Sequence, residues 1–258
     1  MMQRVTSLTK GGGCLNNHEC LSSLRGKLIV SCQALESEPL YCDERSLMGY
    51  MAKAASMGGA GGIRANSVRD IIAIQKEVQL PVIGIIKKEY ANSEVYITPT
   101  LREVDALVAA QCQIIAMDAT ERPRPGGQTL DALFSECRKK YPNQLFMADC
   151  SSYEEGLHAA SIGFDVVATT LAGYTPYTQG MELPALSLIR SLRASLSCPV
   201  IAEGGIWTPE ELCQVFQSGA YAAVVGTAIT RPMAITQRFV RALTSLPEKG
   251  DAHEHSHP

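Results

Sequence analysis

The sequence predicts a single-domain α/β protein of the (β/α)8 class, the TIM barrel. Eight short β-branched runs recur along the chain, and most are apolar almost throughout, as parallel strands covered on both faces are. Helical patterns lie between these runs, and 258 residues is the length that eight strand-helix units need. A doubly wound open sheet is the main rival. Its Gly-rich turn after the first strand is missing, because residues 31–35 contain no glycine.

The predicted strands, in order, are residues 28–32, 61–64, 82–86, 114–117, 145–148, 166–169, 200–202 and 222–225. Capping pairs precede several of the intervening helices, each placing a hydroxyl three residues before a carboxylate. These pairs are Ser67 with Asp70, Thr100 with Glu103, Ser151 with Glu154, and Thr208 with Glu211. Pro209 and Pro232 are suited to the first turn of a helix. The pattern therefore alternates strand and helix from end to end.

Composition limits the partners and the location. Apolar residues make up 46% and charged residues 19%, and the net charge is -3, so there is no basic surplus for binding nucleic acid. The apolar runs are too short to span a membrane, and no leader-like segment opens the sequence. The nine cysteines show no metal-type pairing and read as reduced thiols. We therefore expect a soluble, cytoplasmic protein.

The ends of the chain differ from the middle. Residues 1–25 contain a triple glycine and no sustained periodicity, which favours a flexible extension. Residues 26–246 read as one barrel domain, and residues 247–258 as a disordered tail. Three alternate histidines in the tail could bind a metal weakly, but a solvated tail is the more favoured interpretation.

Polar groups lie at the end of every predicted strand. Because the carboxyl ends of barrel strands converge on one mouth, these groups predict a site there, although any single one could be an ordinary solvated terminus. They are Gln33, Arg64, Lys87, Asp118, Asp149, Thr169 with Thr170, Glu203, and Gly226 with Thr227.

Lys87 is the most informative of these groups. It ends an apolar strand, where lost solvation would lower the pKa of its ammonium group and provide a neutral amine as a base. The alternative is a lysine whose stem packs on the wall while its head stays in water, and Lys88 suits that role better. Only one of the two can face the mouth, because neighbouring strand residues point in opposite directions.

Glycine turns after the seventh and eighth strands predict a phosphate site. Glu203 is followed by Gly204 and Gly205, and the eighth strand is followed by Gly226 and Thr227. Such turns let backbone N–H groups approach an anion, and Arg231 would add a charge-assisted contact. The alternative is that the glycines only form turns.

Two other features leave more than one interpretation open. Asp118 and Asp149 could divide acid, base or hydroxyl-binding roles, or could simply pair with Arg64 or Arg122. Residues 171–178 form a long loop with Tyr174 and other aromatic, Gly and Pro residues. This composition suits either a lid over a small ligand or a turn packed on the rim.

Seven blocks of the sequence form an ordered set: residues 28–35, 62–65, 81–87, 96–100, 117–120, 169–175 and 224–232. No single block is diagnostic, but the ordered set is specific. Over about residues 26–243, in order and at the expected spacing, these blocks resemble the bacterial N-acetylmannosamine-6-phosphate 2-epimerase family.

The resemblance implies an isomerase that interconverts N-acetylmannosamine 6-phosphate and N-acetylglucosamine 6-phosphate in amino-sugar and sialic acid breakdown, without a metal or other cofactor. It implies Lys87 as catalytic lysine, Glu203 as its partner carboxylate, and a sugar phosphate as the only small-molecule ligand. We also expect a homodimer, no nucleic acid and no membrane partner. The implied substrate-binding residues are Gln33, Arg64, Asp149 and Tyr174, and the implied phosphate-binding residues are Gly204, Gly205, Gly226, Thr227 and Arg231.

Two other functions remain open. Another sugar-phosphate barrel, such as a ribulose-phosphate epimerase or a heterocycle-forming synthase, is the nearest enzyme. The former usually needs His and Asp metal ligands, and no histidine follows a predicted strand. A sugar-phosphate sensor would use the same mouth for binding alone. Inverting C2 requires a base to remove its proton, whereas a sensor requires no such base.

Overall fold

A computed structural model describes residues 16–244 of the chain. Eight parallel strands close into one barrel in sequence order, which confirms the predicted fold class. Each predicted strand is present, with ends that move by at most two residues. The strands are β1 (Leu28–Cys32), β2 (Gly62–Asn66), β3 (Val82–Ile85), β4 (Ile114–Asp118), β5 (Leu145–Asp149), β6 (Val166–Ala168), β7 (Val200–Glu203) and β8 (Ala222–Val225).

Helices surround the barrel and connect its strands. Among the described residues they are α1 (Asn17–Leu24), α2 (Met48–Met57), α3 (Val68–Glu77), α4 (Leu101–Ala109), α5 (Leu130–Lys140), α6 (Tyr153–Ser161), α7 (Leu186–Ser195), α8 (Pro209–Gln217), α9 (Thr227–Thr230) and α10 (Pro232–Thr244). A short 3₁₀ turn, Pro125–Gly127, lies between β4 and α5.

Capping side chains fix where these helices begin. Thr100 and Thr208 form the predicted capping boxes, and Pro209 and Pro232 open their helices. Ser67 caps α3 in one direction only, by accepting a hydrogen bond from the Asp70 N–H. The predicted Ser151 and Glu154 pair is wrong by one residue. The box uses Ser152 and Glu155 instead. Ser151 also donates its N–H and its hydroxyl to the Glu155 carboxylate.

Two apolar layers stabilise the barrel. Alternate strand residues point inward, where Ile29, Ile83 and Ile114 meet in the barrel interior. Their neighbours, such as Val30 and Ile115, face outward and pack against the surrounding helices. The carboxyl ends of the strands are left for polar side chains.

Helix α1 corrects one expectation about the amino-terminal extension. Residues 17–24 were predicted to be flexible, but they form a helix whose Asn16 and Glu19 complete a capping box. Cys20 and Leu24 are buried in the same interior cluster as the residues that begin the strands. The helix therefore covers the amino-terminal end of the barrel, opposite the predicted site. The first 15 residues and the predicted tail at 247–258 lie outside the described residues.

The remaining global predictions concern cysteines and membranes. Eight cysteines lie within residues 16–244, and all eight are free thiols. In the same part of the chain, no helix has the length and apolar character needed to cross a bilayer.

Candidate active site

A cavity of about 300 Å³ lies at the carboxyl ends of the strands. Parallel strands bring their ends together there, so residues almost 200 positions apart in sequence become neighbours. Ten of the eleven predicted site residues line this cavity: Gln33, Arg64, Lys87, Tyr174, Glu203, Gly204, Gly205, Gly226, Thr227 and Arg231.

Lys87 contributes to the cavity wall, whereas Lys88 does not. The backbone just after β3 is fixed because the Lys87 N–H donates to Asn66 Oδ1 at 2.8 Å and Lys87 forms a β-bridge with Ile97. Burial lowers the pKa of Lys87 to about 8, and the positive charges of Arg64 and Arg231 contribute in the same direction. A substantial fraction of this amine is therefore neutral near neutral pH.

Arg64 lies beside two carboxylates at the base of the cavity. Its Nη1 and Nη2 atoms bind Asp149 through both oxygens, at 3.0 and 2.6 Å, and Nη1 lies 3.1 Å from Glu203 Oε2. Arg64 is fully buried, and although burial alone would lower its pKa, the two carboxylates hold the pKa above its usual range. The site thus contains a permanent positive charge in a position fixed by a bidentate ion pair.

Glu203 is the second carboxylate beside Arg64. Burial raises the pKa of Glu203 to about 7, against the opposing effect of Arg64. The Thr170 hydroxyl lies 2.6 Å from Asp149 Oδ1 and 3.2 Å from Glu203 Oε2, but it has only one proton to donate. A protonated Glu203 can donate to Thr170 while Thr170 donates to Asp149. The geometry therefore accommodates Glu203 as an acid.

Asp149 is the predicted residue that the structure places elsewhere. It is completely buried beneath the cavity, with both oxygens occupied by Arg64 and Thr170. Its carboxylate does not line the cavity and binds Arg64 through both oxygens, whereas its direct contact with a substrate stays a prediction. Asp118 is also buried away from the cavity and pairs with Arg122 at 2.6 Å.

The two glycine bends form one side of the cavity. Gly204 and Gly205 have φ values of +110° and +71°, conformations that glycine adopts without a steric cost. A Cβ at Gly205 would lie 2.3 Å from Leu183 Cβ, so this bend is packed closely against the preceding loop. Gly226 caps the short helix α9, which begins at Thr227. Backbone N–H groups of both bends are available to an anion in this region.

Arg231 lines the cavity from the end of α9 and already has a carboxylate partner. Its Nε lies 2.8 Å from Glu38 Oε1, and the second oxygen, Oε2, accepts the Leu35 N–H at 2.9 Å. Glu38 lies in the loop between β1 and α2. The pair therefore connects the loop after the first strand to the segment after the last.

Gln33 presents an unused acceptor. Its side-chain Nε2 donates to Ser31 Oγ at 2.7 Å, which fixes the amide orientation. Its Oε1 is buried and accepts no hydrogen bond from the described residues. A buried acceptor without a donor is costly, so a ligand N–H or O–H at this point would be stabilising.

The loop that was interpreted as a lid or a rim turn contains Tyr174 at the cavity edge, with 59% of its surface exposed. The other end of the loop is fixed, because the Tyr177 hydroxyl donates to Glu155 at the start of α6. Thr175 and Thr178 bond to each other within the loop at 2.7 Å. The loop is therefore anchored at the rim and leaves Tyr174 free to contact a ligand.

The sequence prediction missed five polar or aromatic residues of the cavity: Ser31, Tyr96, Thr170, Trp207 and Thr230. Tyr96 belongs to the loop after β3, which folds back so that the Lys88 N–H donates to the Tyr96 carbonyl at 2.9 Å. Thr170 was noted at a strand end without an assigned role. Trp207 is the single tryptophan of the chain and follows Gly205 by two residues, which was the available signal.

Among residues 16–244, no three His, Cys, Asp or Glu side chains lie close enough together to hold a metal ion. The arrangement offers a different chemistry. One amine with a lowered pKa, one carboxyl group with a raised pKa and one fixed cation surround a cavity that ends in glycine bends.

Comparisons with known proteins agree with this geometry. The family model described as N-acetylmannosamine-6-phosphate epimerase matches residues 48–245. A protein of Caldanaerobacter subterraneus subsp. tengcongensis named as an N-acetylmannosamine-6-phosphate 2-epimerase is 52% identical over 222 residues, which are 86% of this chain and 93% of the relative. A relative with the same name from Enterobacter sp. strain 638 is 53% identical, over 86% of this chain and 95% of its own length.

Solved structures also match this chain. The N-acetylmannosamine-6-phosphate 2-epimerase from Clostridium perfringens superposes with a TM-score of 0.83 at 48% identity, over 90% of this chain and all of that one. Thiamine phosphate pyrophosphorylase from Pyrococcus furiosus, at 18% identity and a TM-score of 0.54, shares the fold alone. The matched family model and these relatives establish that the chain belongs to the N-acetylmannosamine-6-phosphate epimerase family.

Proposed function

We propose that this protein inverts C2 of N-acetylmannosamine 6-phosphate to give N-acetylglucosamine 6-phosphate, by removing and returning the C2 proton. The observation that carries the proposal is the placement of Lys87 and Glu203 in one cavity with two glycine bends. The pKa of Lys87 is lowered to about 8 and that of Glu203 is raised to about 7, so each group can change protonation near neutral pH. The family of the chain supports the choice of sugar.

The reaction requires a base, an anion-stabilising group and an acid. After the sugar ring opens, C2 lies next to an aldehyde, and neutral Lys87 removes its proton. The electron pair moves to the aldehyde oxygen, where the buried cation of Arg64 stabilises the negative charge that develops. Glu203, in its protonated form, returns a proton to the opposite face of C2. Asp149 keeps Arg64 in place through its bidentate bond.

The remaining residues of the cavity bind the substrate. The phosphate lies at the end formed by Gly204, Gly205 and Gly226, with Thr227 and Arg231 as side-chain partners. The free Oε1 of Gln33 accepts from a sugar hydroxyl or the N-acetyl N–H, and Tyr174 covers the ligand. Each of these roles makes use of a group that faces the cavity in this structure.

Proton NMR in heavy water tests the chemistry directly. We expect the wild-type protein to exchange the C2 hydrogen of N-acetylmannosamine 6-phosphate for deuterium and to form N-acetylglucosamine 6-phosphate. Lys87→Ala should lower the exchange rate by a factor of about 10²–10⁴, because a positioned general base contributes that much. Lys88→Ala is the matched control, since Lys88 does not line the cavity, and it should retain the exchange rate.

The outcome separates this function from its two alternatives. A sugar-phosphate sensor would bind N-acetylmannosamine 6-phosphate and leave its C2 hydrogen in place. A different sugar-phosphate isomerase or synthase would leave that hydrogen in place and act on another substrate. Full exchange by Lys87→Ala would contradict the assignment of Lys87 as the base but not the epimerase activity.

Self-association belongs to the same proposal. Helix α10 has no buried residue, and its exposed apolar side chains include Met233, Phe239, Val240 and Leu243. An apolar stripe of this kind, left in water, favours association, so we propose a homodimer that uses this helix. A cytoplasmic location stays a prediction from the sequence.

A further inference from the structure

We propose that Glu38 is a positioning residue that aims the Arg231 guanidinium at the substrate phosphate. The inference rests on the proposed function only in naming the ligand as a sugar phosphate. The Glu38 carboxylate itself does not line the cavity, so it acts through Arg231.

The contacts of Glu38 have a specific geometry. One oxygen, Oε1, binds Arg231 Nε at 2.8 Å, and the other, Oε2, accepts the Leu35 backbone N–H at 2.9 Å. The backbone bond fixes the carboxylate within its own loop, so that its position does not depend on Arg231. A carboxylate fixed in this way holds the Nε side of the guanidinium fork in one place.

The other side of the fork is available. Within residues 16–244, the structure shows no ion pair or hydrogen bond to Arg231 through its Nη atoms. Arg231 lines the cavity beside Gly226 and Thr227, where backbone N–H groups also favour an anion. Binding Nε to Glu38 therefore leaves the two terminal nitrogens for the phosphate oxygens.

An arginine without a fixed partner would not keep its terminal nitrogens directed at the phosphate. Its side chain has several freely rotating bonds, and 34% of the Arg231 side chain is exposed, so burial alone does not fix it. Holding the side chain before the ligand arrives reduces the entropy that binding must overcome. Glu38 also carries a negative charge that repels phosphate. Because the pair is partly exposed, solvent screens this repulsion, and we expect the orienting effect to dominate.

Orientation of Arg231 and repulsion of phosphate predict opposite changes in KM when Glu38 is substituted. Glu38→Ala removes the acceptor, and we expect the KM for N-acetylmannosamine 6-phosphate to rise about fivefold or more while kcat changes by less than about twofold. Glu38→Gln removes the charge and keeps only one acceptor oxygen for two partners, Arg231 Nε and the Leu35 N–H, so it should recover only part of the wild-type KM. Glu36→Gln, in the same loop and exposed, is the matched charge control.

A double-mutant cycle shows whether Glu38 acts through Arg231. In an Arg231→Met background, Glu38→Ala should leave the KM of that background unchanged, since no guanidinium remains to be oriented. An additional rise in KM would mean that Glu38 acts by shaping its loop, and would overturn the proposal. A fall in KM for both single variants would overturn it too, because repulsion would then be the main effect of Glu38.

Inorganic phosphate keeps this test independent of catalysis. We expect the affinity for phosphate, measured by calorimetry, to be lowered by Glu38→Ala and only partly restored by Glu38→Gln. If the wild-type protein does not turn over the sugar phosphate but phosphate binding shows this pattern, the proposed function fails and the role of Glu38 stands. If turnover is present and the Kd is the same in all variants, the role of Glu38 fails alone.

Discussion

At the scale of single residues, the site depends on two groups whose ordinary pKa values burial has moved toward each other. Lys87 and Glu203 line the same cavity, and each shifts because water is excluded from it. Arg64 acts on both: its positive charge lowers the pKa of Lys87 and opposes the rise in the pKa of Glu203. The fixed ion pair of Arg64 with Asp149 therefore sets the charge that both groups experience.

These two pKa values predict a bell-shaped pH dependence of kcat/KM. Below about pH 7, Lys87, with its pKa of about 8, is protonated and the neutral base is lost. Above about pH 8, Glu203, with its pKa of about 7, is ionised and the acid is lost. Activity should fall roughly tenfold per pH unit on each side of a maximum between about pH 7 and 8. Initial rates from pH 5.5 to 9.5 at low substrate check this, and a flat profile would contradict the assignments.

The sequence predicted which residues lie at the cavity but not how deeply each of them is buried. A polar residue at the end of a predicted strand predicts a position at the mouth, and this rule located Lys87, Glu203 and Arg64. The rule cannot tell whether a carboxylate lines the cavity or is buried against an arginine, as Asp149 is. It also gives no information about Glu38, whose role depends on a contact across almost 200 residues of sequence.

At the scale of elements, the bend after β7 shapes the end of the cavity that we propose binds phosphate. Its conformation depends on glycine at two consecutive positions, and Leu183 packs against the second. The loop that contains Leu183 also contains Tyr174, which lines the cavity. A change at the bend is therefore passed to both the phosphate end and the rim.

Gly205→Ala should destabilise this bend by more than the cost of its left-handed backbone conformation alone. Left-handed φ values cost a non-glycine residue about 1–2 kcal/mol, and Gly205 has φ +71°. Its new Cβ would also overlap Leu183, so the loop must move, and we expect a higher KM together with a lower free energy of unfolding. Enzyme kinetics and urea denaturation measure the two effects.

Gly126 provides the matched control for this change. It has φ +70°, and no atom lies within 4 Å of the position its Cβ would take. Gly126→Ala should therefore lose only the backbone contribution to stability and keep the wild-type KM. Equal losses in the two variants would show that the contact with Leu183 is unimportant.

The elements themselves were largely predictable, because eight apolar runs and their capping residues are local signals. Thr100 and Thr208 cap their helices through residues three positions away, and such short-range bonds leave a clear pattern. Helix α1 was missed because only two of its residues, Cys20 and Leu24, are buried, and their partners are strand residues far along the chain.

At the scale of the whole molecule, the barrel has one polar end with the cavity and one end covered by α1. Helix α10 follows the eighth strand and remains mostly in water, unlike α3 or α5, which bury residues against the barrel. The proposed homodimer follows from this difference.

Sedimentation velocity tests the proposed dimer. We expect the wild-type protein to sediment at twice the mass of one chain, and Phe239→Glu to shift it toward the monomer, because Phe239 is 72% exposed on α10. The control is Ile72→Glu, which places the same charge at an exposed apolar position on α3. A monomeric wild-type protein, or a dimer unaffected by the change at Phe239, would contradict the proposal.

The ion pair between Glu38 and Arg231 lies where the barrel closes, since β1 pairs with β8. A sugar phosphate seated there would touch the residue groups that follow the first and last strands at once. The ligand would then connect the segments that follow β1 and β8, and separating these two strands would require the ligand to dissociate. Bound ligand should accordingly protect β1 and β8 from hydrogen exchange more than the strands on the far side of the barrel.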